Sequence, residues 1–155
     1  MNLRLRILPL LMVAMFASCT AVKNEQMSKN AFSQYEIVQN NQIMWSEIFK
    51  QKEDHYLVFF YAETCNHCHQ IMGDVTAFAD QNIVPTYFLN TKEQDIKIPL
   101  KNEVELTIGI SSEDDLFIAG TPTIIEIENH IVKNNIPGKD DCLTLLNSLR
   151  MSTRI

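Results

Sequence analysis

One segment changes from apolar to polar within ten residues: Phe59-Phe60-Tyr61-Ala62-Glu63-Thr64-Cys65-Asn66-His67-Cys68. With the preceding Tyr56-Leu57-Val58 it forms a continuous apolar and aromatic run, which is typical of a β-strand buried on both faces. Apolar residues then recur at helical spacing, so we predict a strand over residues 56–61 and a helix over 65–81. The two cysteines therefore fall where the strand gives way to the helix.

Cys65 and Cys68 are separated by two residues, a spacing at which two thiols can close a disulfide within one helical turn. The unpaired amides and the dipole at a helix N-terminus favour a thiolate. Cys65, nearer the helix end, is predicted to be the more exposed and more readily ionised sulfur, and Cys68 to be the resolving thiol. This arrangement favours thiol–disulfide exchange through a mixed disulfide.

Predicted strands and helices alternate along the rest of the chain. Alternation of this kind predicts an α/β protein with a mostly parallel sheet and helices on both faces, to which a late hairpin adds antiparallel pairing. Residues 90–110 show a period of two and are predicted to be extended, and Ser111-Ser112 before three acidic residues predicts a helix start. The other predicted strands are 35–38, 84–89, 123–128 and 130–136, and the other predicted helices are 41–52 and 140–150.

Three motifs together resemble the thioredoxin superfamily: the stretch 59–68, the loop Gly120-Thr121-Pro122-Thr123 and the turn Pro137-Gly138. The resemblance covers residues 31–150. It implies a thioredoxin fold, with a central mixed sheet flanked by helices, and a redox-active Cys65–Cys68 pair. It also implies a cis bond before Pro122, with Thr121 and Pro122 holding the substrate chain.

The sequence departs from cytosolic thioredoxins at several positions. Their buried Asp, six residues before the first cysteine, is replaced by Phe59, and Glu63 is a possible substitute base. His67 stands beside the nucleophile, as in oxidases and isomerases of the superfamily. Because a neighbouring His stabilises a thiolate, and so the reduced form, we predict a more oxidising disulfide than that of thioredoxin.

Two rival interpretations use the same cysteines. Cys65-Asn66-His67-Cys68-His69 fits the C-x-x-C-H motif of covalent haem attachment, and the CxxC spacing suits two zinc ligands. The buried strand before the motif and the Thr-Pro-Thr loop after it favour the thiol–disulfide reading, so we expect no metal and no cofactor. Cys142 lies on the apolar side of the last helix and is predicted to be a core residue.

The N-terminus has the order of an export signal. Two arginines precede an apolar run, and Phe16-Ala17-Ser18-Cys19 resembles the bacterial lipobox. We therefore predict a signal peptide over 1–18, acylation of Cys19, a polar tether over 19–30, the domain over 31–150 and a tail over 151–155. The alternative is ordinary cleavage near Ala17, which would give a soluble periplasmic or secreted protein.

Composition and charge limit the classes of partner that the chain can bind. The chain has 155 residues, 46% of them hydrophobic, a length that suits one domain. It carries 19 acidic against 13 basic side chains, a formal charge of −6, which argues against nucleic acid as a partner. Loss of both arginines with the signal would deepen the charge to −8, so a lipid bilayer would be engaged through acylated Cys19 and not by charge.

The sequence thus predicts an exported, membrane-anchored thiol–disulfide oxidoreductase that acts on protein thiols or disulfides outside the cytoplasm. A membrane or soluble redox partner would supply or accept the electrons. Oxidase, reductase and isomerase share these residues, so the direction stays open. The alternative is a non-catalytic thioredoxin-like accessory module for the secretion of disulfide-bonded peptides.

Overall fold

The computed structural model describes residue 31 and residues 33–152. The predicted signal, the tether and Cys19 lie outside the described residues. The helices are α1 (residues 33–40), α2 (Asn66–Asp80) and α3 (Lys139–Ser152), and the strands are β1 (His55–Tyr61), β2 (Thr86–Asn90), β3 (Thr123–Glu128) and β4 (Ile131–Pro137). The chain divides into two compact units after Glu36, and the sheet and the cysteine pair belong to the second. No helix in the described part has the length and apolarity to cross a bilayer.

The four described strands form one sheet in the order β2-β1-β3-β4. β1 and β2 are parallel, whereas β1–β3 and β3–β4 are antiparallel. The predicted central mixed sheet is therefore confirmed, and the mostly parallel sheet inferred from alternation alone is wrong. The predicted hairpin accounts for the difference, because its first strand inserts beside β1 in the antiparallel direction.

Both faces of β1 are buried, as its unbroken apolar run predicts. Leu57, Phe59 and Tyr61 point to one face and pack with residues of α2 and α3, including Ile71, Phe78, Cys142 and Leu146. Tyr56, Val58 and Phe60 point to the opposite face. That second face is covered by residues 43–48 and by the segment 98–118, so the described residues place no helical layer there, contrary to the expectation of helices on both faces.

Two predicted elements near the start of the domain are wrong. Residues 35–38 are helical within α1 instead of extended. The predicted helix over 41–52 is an extended piece followed by a single 3-10 turn, Trp45–Glu47. Its start is recruited by the sheet, because the Ile43 amide donates to the Phe88 carbonyl and the Phe88 amide donates to the Asn41 carbonyl, both at 2.9 Å. Pairing with a distant strand thus outweighs the local helical period.

The segment between β2 and β3 is irregular and is called the insert here, residues 91–120. It contains a 3-10 turn, Val104–Thr107, and a parallel bridge between Leu100 and Ile118. The Ser112 hydroxyl accepts the Asp114 amide at 3.2 Å, as in a helix cap, but a turn follows where a helix was predicted. The chain does not continue as a helix because the residues that follow, Leu116 and Ile118, are buried against the sheet.

The later elements match their predictions closely. α2 begins after Cys65 and ends before Gln81, and α3 extends the predicted helix by a residue or two at each end. Cys142 is fully buried and is not in a disulfide, as predicted. Burial raises the pKa of its thiol to about 12, so it behaves as a small apolar side chain.

Candidate active site

The cysteine pair lies at the end of the sheet where β1 finishes. The chain leaves β1 at Tyr61, turns through a hydrogen bond from the Cys65 amide to the Ala62 carbonyl at 3.0 Å, and enters α2. Cys65 is the N-cap of that helix, in extended backbone conformation. The sequence folds this way locally because the apolar run ends at Ala62 and polar residues follow at once.

Cys65 and Cys68 are joined in a disulfide with their Cα atoms 5.2 Å apart. Cys65 is half-buried, whereas Cys68 is 1% exposed, so an incoming sulfur can reach only the first. The Cys68 amide donates to Cys65 Sγ at 3.1 Å. Because an N-cap acceptor faces unpaired amides and the first turn of α2 holds no acidic residue, the site favours negative charge on Cys65 in the reduced state.

The loop Gly120–Thr123 reaches the disulfide from the neighbouring strand. The Thr121–Pro122 bond is cis, as predicted. The Thr121 carbonyl oxygen lies 3.4 Å from Cys65 Sγ. Two hydrogen bonds hold the loop: the Thr123 hydroxyl donates to the Gly120 carbonyl at 2.7 Å, and the Gly138 amide donates to the Pro122 carbonyl at 2.8 Å.

The histidines of the motif behave differently from each other. His67 is exposed and has no hydrogen bond to another described residue. His69 Nε2 hydrogen-bonds the Glu63 carbonyl oxygen at 2.5 Å, which ties the first turn of α2 to the loop before Cys65. In sequence, His69 belongs only to the rival haem motif, and its contact with a backbone carbonyl six residues earlier leaves no sequence signal.

Phe59 and Glu63 can now be placed. Phe59 is fully buried in the core cluster that contains Cys68, and it stacks on Tyr61 with ring centroids 6.1 Å apart. The position where cytosolic thioredoxins have an Asp is therefore an apolar one here. Glu63 is exposed.

A cavity of about 530 Å³ opens beside the disulfide. It is lined by the active-site loop (Ala62, Thr64, Cys65, Asn66, His67), by Gly120 and Thr121, and by Thr91, Lys92, Lys97, Ile98, Leu100 and Ile118 of the insert. The cavity brings together the predicted residues Cys65, His67 and Thr121. Lys92, Lys97 and Leu100 were missed, because contacts between residues distant in sequence, from Thr91 to Tyr61 and between Leu100 and Ile118, bring that part of the insert to the cysteines.

Within residues 31 and 33–152, no three His, Cys, Asp or Glu side chains converge as a metal site would require. The two sulfurs of the CxxC pair are bonded to each other. The site combines an accessible sulfur at a helix N-terminus, a buried partner sulfur and the backbone carbonyl of Thr121 at the edge of a cavity.

Residues 36–150 match the family model described as Thioredoxin. The chain belongs to the thioredoxin family. The thioredoxin fold is similar to that of the oxidised mitochondrial thioredoxin 3 from Saccharomyces cerevisiae, with a TM-score of 0.52 and 15% identity over 76% of this chain and 97% of that one. Thioredoxin f2 from Chlamydomonas reinhardtii is also similar, with a TM-score of 0.45 and 18% identity over 69% of this chain and 93% of that one. No curated protein sequence gives a significant match.

Proposed function

We propose that this thioredoxin-family protein is an exported thiol–disulfide oxidoreductase that acts on cysteines of extracytoplasmic proteins. The observation that carries the proposal is the asymmetry of the pair. Cys65 is reachable and accepts a hydrogen bond from a helix amide, while Cys68 is buried one turn further along the same helix. Such a pair has one sulfur that meets a client and one that resolves the adduct.

In the reductive direction, the Cys65 thiolate attacks one sulfur of a client disulfide. A Cys65–client mixed disulfide forms, and the second client sulfur leaves as a thiolate that takes up a proton. Cys68, once deprotonated, attacks Cys65 Sγ; the Cys65–Cys68 disulfide forms and the first client sulfur leaves. The client gains two electrons and the protein loses two, and the reverse sequence oxidises a client dithiol. A thiol or disulfide partner resets the pair.

The remaining site residues have supporting roles in the proposal. Thr121 and Pro122 hold the client chain next to Cys65, because the Thr121 carbonyl oxygen lies beside that sulfur at the edge of an open cavity. A client amide that replaced water on a backbone group there would fix its cysteine near the disulfide. His67, at the N-terminal turn of α2, adds positive charge close to Cys65 when it is protonated.

Trapping tests the assignment of the two cysteines. In cells that export the full chain, Cys68→Ser should accumulate mixed disulfides that are visible on non-reducing gels and disappear on reduction. Cys65→Ser should accumulate none, because Cys68 is buried. If neither variant traps a client, a non-catalytic binding module is favoured and the proposal fails. Alkylation of the unsubstituted protein in the same cells reads the direction: a mostly reduced pair indicates a reductase or isomerase, and a mostly oxidised pair indicates an oxidase.

The location is part of the proposal. We infer that acylated Cys19 anchors the chain to the bacterial membrane, on the strength of the signal-like order of residues 1–18 and the lipobox-like Phe16-Ala17-Ser18-Cys19. Labelling with a radioactive fatty acid should mark the unsubstituted protein and not Cys19→Ser. An unlabelled, soluble periplasmic protein would support ordinary cleavage near Ala17 instead.

A further inference from the structure

We propose that the insert makes this site selective for client segments with an acidic side chain and an apolar side chain close to the reacting cysteine. Lys92 and Lys97 would pair with the acid, and Leu100 would cover the apolar group. The inference rests on the proposed exchange at Cys65 and names the class of polypeptide that the exchange prefers.

The charged residues that line the cavity are basic, although the chain as a whole is acidic. The protein carries six more acidic than basic side chains. Among the described residues that line the cavity, however, there is no Asp or Glu, and the charged residues are Lys92 and Lys97. Both are exposed, and neither forms an ion pair with a described carboxylate. Two lysines without an ion pair to a described carboxylate therefore line the space that the proposal assigns to a client.

Three carboxylates, Glu63, Glu93 and Asp95, are close in sequence to cavity residues without lining the cavity, and Asp95 lines a separate cavity beside Trp45. Glu93 and Glu63 both contribute to the raised pKa of Tyr61, after burial of its phenol. Glu93 is engaged elsewhere, because its carboxylate accepts the Gln42 side-chain amide at 2.6 Å. Glu63 is exposed on the loop before Cys65. Because these carboxylates are outside the cavity lining, the lysines present the local charge to a client in the cavity.

The backbone that carries the lysines and the leucine is fixed at both ends. The Thr91 amide donates to the Tyr61 carbonyl at 2.8 Å, which holds the start of the insert at the end of β1. Further along, the Lys101 amide donates to the Ile118 carbonyl at 3.1 Å, and the Ile118 amide donates to the Pro99 carbonyl at 3.2 Å. Ile118 itself is fully buried, so this wall of the cavity is attached to the core.

Leu100 is the exception on that wall. Its side chain is 62% exposed although its backbone is paired with that of Ile118, and it lines the cavity that contains Cys65. An exposed leucine on an anchored backbone offers apolar contact area at little cost in backbone ordering. The same wall thus provides an apolar contact flanked by positive charge.

Exchange competition measures this preference. The reduced, full-length Cys68→Ser protein is equilibrated with a redox buffer of oxidised and reduced single-cysteine peptides that share a leucine near the cysteine and differ at one flanking residue, Asp, Asn or Lys. The Cys65 thiolate attacks a peptide disulfide, which forms the mixed disulfide and releases one peptide thiolate. A second peptide thiolate that attacks the peptide sulfur of this adduct releases the Cys65 thiolate for another round. Mass spectrometry gives the ratio of the adducts. Intrinsic differences among the peptide thiols cancel when that ratio is compared between protein variants.

We expect the ratio of Asp adduct to Lys adduct to be about three- to tenfold higher with the unsubstituted cavity than with Lys92→Gln/Lys97→Gln. This difference should shrink with added salt. The matched control is Lys50→Gln/Lys101→Gln, which removes the same charge from side chains outside the cavity lining and should keep the preference. For the apolar group, Leu100→Asn should weaken discrimination between peptides with leucine and with serine, whereas Leu106→Asn, 70% exposed and outside this cavity, should not.

The outcomes separate the two proposals. If Cys68→Ser forms no adduct with any peptide, the proposed exchange at Cys65 is wrong. If adducts form but the Asp-to-Lys ratio is the same with the unsubstituted cavity and with Lys92→Gln/Lys97→Gln, selectivity by Lys92 and Lys97 is wrong while the exchange stands. A ratio that falls equally in the control pair would assign the preference to net charge and would also overturn the inference.

Discussion

The sulfur of Cys65 lies 3.4 Å from the carbonyl oxygen of Thr121, although 56 residues separate them in sequence. The sheet brings them together, because the antiparallel register places the end of β1 beside the start of β3, with Phe60 opposite Thr123. In the disulfide state this sulfur carries no hydrogen, so the two atoms are in simple contact. In the dithiol state a Cys65 S–H could donate to that oxygen.

Thr123 holds this loop through its side chain. Thr123→Val keeps the shape but removes the hydroxyl that donates to the Gly120 carbonyl, leaving that oxygen without its partner. We expect the free energy of unfolding in urea to fall by about 1 kcal/mol. Thr123→Ser, which retains the hydroxyl, should recover most of the loss. Equal losses in both variants would assign the effect to packing instead.

His67 is predicted to make the disulfide more oxidising. His67→Gln removes a side chain that, when protonated, stabilises the Cys65 thiolate. The reduction potential of the Cys65–Cys68 pair should therefore fall by about 10–30 mV. Equilibration with glutathione measures it. His130→Asn is the control, because it removes a histidine outside the cavity at a position with φ of 60°, which Asn tolerates. A thioredoxin-like potential in the unsubstituted protein would contradict the role of His67.

His69 is predicted to matter for stability in a way that His67 does not. His69→Ala removes the hydrogen bond to the Glu63 carbonyl and frees the loop before Cys65, so we expect a loss of about 0.5–1.5 kcal/mol in the free energy of unfolding. His67→Ala, two residues away and without a described hydrogen bond, is the matched variant and should change stability by less than about 0.5 kcal/mol. Indistinguishable urea midpoints would refute the positioning role.

Cys142 should make stability depend on alkaline pH. An unfolded thiol ionises near pH 8.5, whereas the folded thiol keeps its proton up to about pH 12. Its contribution is therefore fully present below pH 8.5 and is lost as the pH rises toward 12. Between pH 8 and 11 we expect the free energy of unfolding to fall by about 3 kcal/mol more in the unsubstituted protein than in Cys142→Ala. Urea titrations in reducing buffer measure it, and parallel pH profiles would contradict it.

Asn135 ties the insert to the sheet. Its side-chain amide donates to Thr107 Oγ1 at 3.0 Å and to the Phe117 carbonyl at 2.9 Å, and all of these groups are buried. Asn135→Ala should cost about 1–3 kcal/mol and accelerate hydrogen exchange over residues 104–118. Asn102→Ala, at an exposed position in the same insert, should do neither. Unchanged exchange in Asn135→Ala would show that the insert is held by other contacts.

The sequence predicted the elements whose pattern is long or chemically specific. β1, α2, the hairpin and α3 have sustained periods, and the cis bond before Pro122 followed from the resemblance of its loop to the thioredoxin superfamily. The two failures near the start of the domain have different causes. Four residues at 35–38 are too few to separate a strand from a helix. Residues 41–52 have a helical period, but the start of that segment, residues 41–43, pairs with β2 instead.

The site residues also divide into those with a local sequence signal and those without one. Cys65, Cys68 and His67 were found because their spacing is local. Lys92, Lys97 and Leu100 were not, because their place beside Cys65 depends on backbone contacts of the insert with Tyr61 and Ile118. Periodicity along the chain carries no information about those contacts. His69 was missed as a positioning residue since its partner is a backbone carbonyl, which any residue type would supply.

Both outer strands of the sheet are capped by other parts of the chain. Phe88 on β2 exchanges two backbone hydrogen bonds with Asn41 and Ile43, and Val132 on β4 exchanges two with Gly109 and Ile110. An outer strand with free amides and carbonyls is a template on which a second molecule can polymerise. The capping segments occupy those groups at Phe88 and Val132, so crowding many copies together should not readily nucleate fibrils along these strands. The irregular insert is thus also a guard against aggregation.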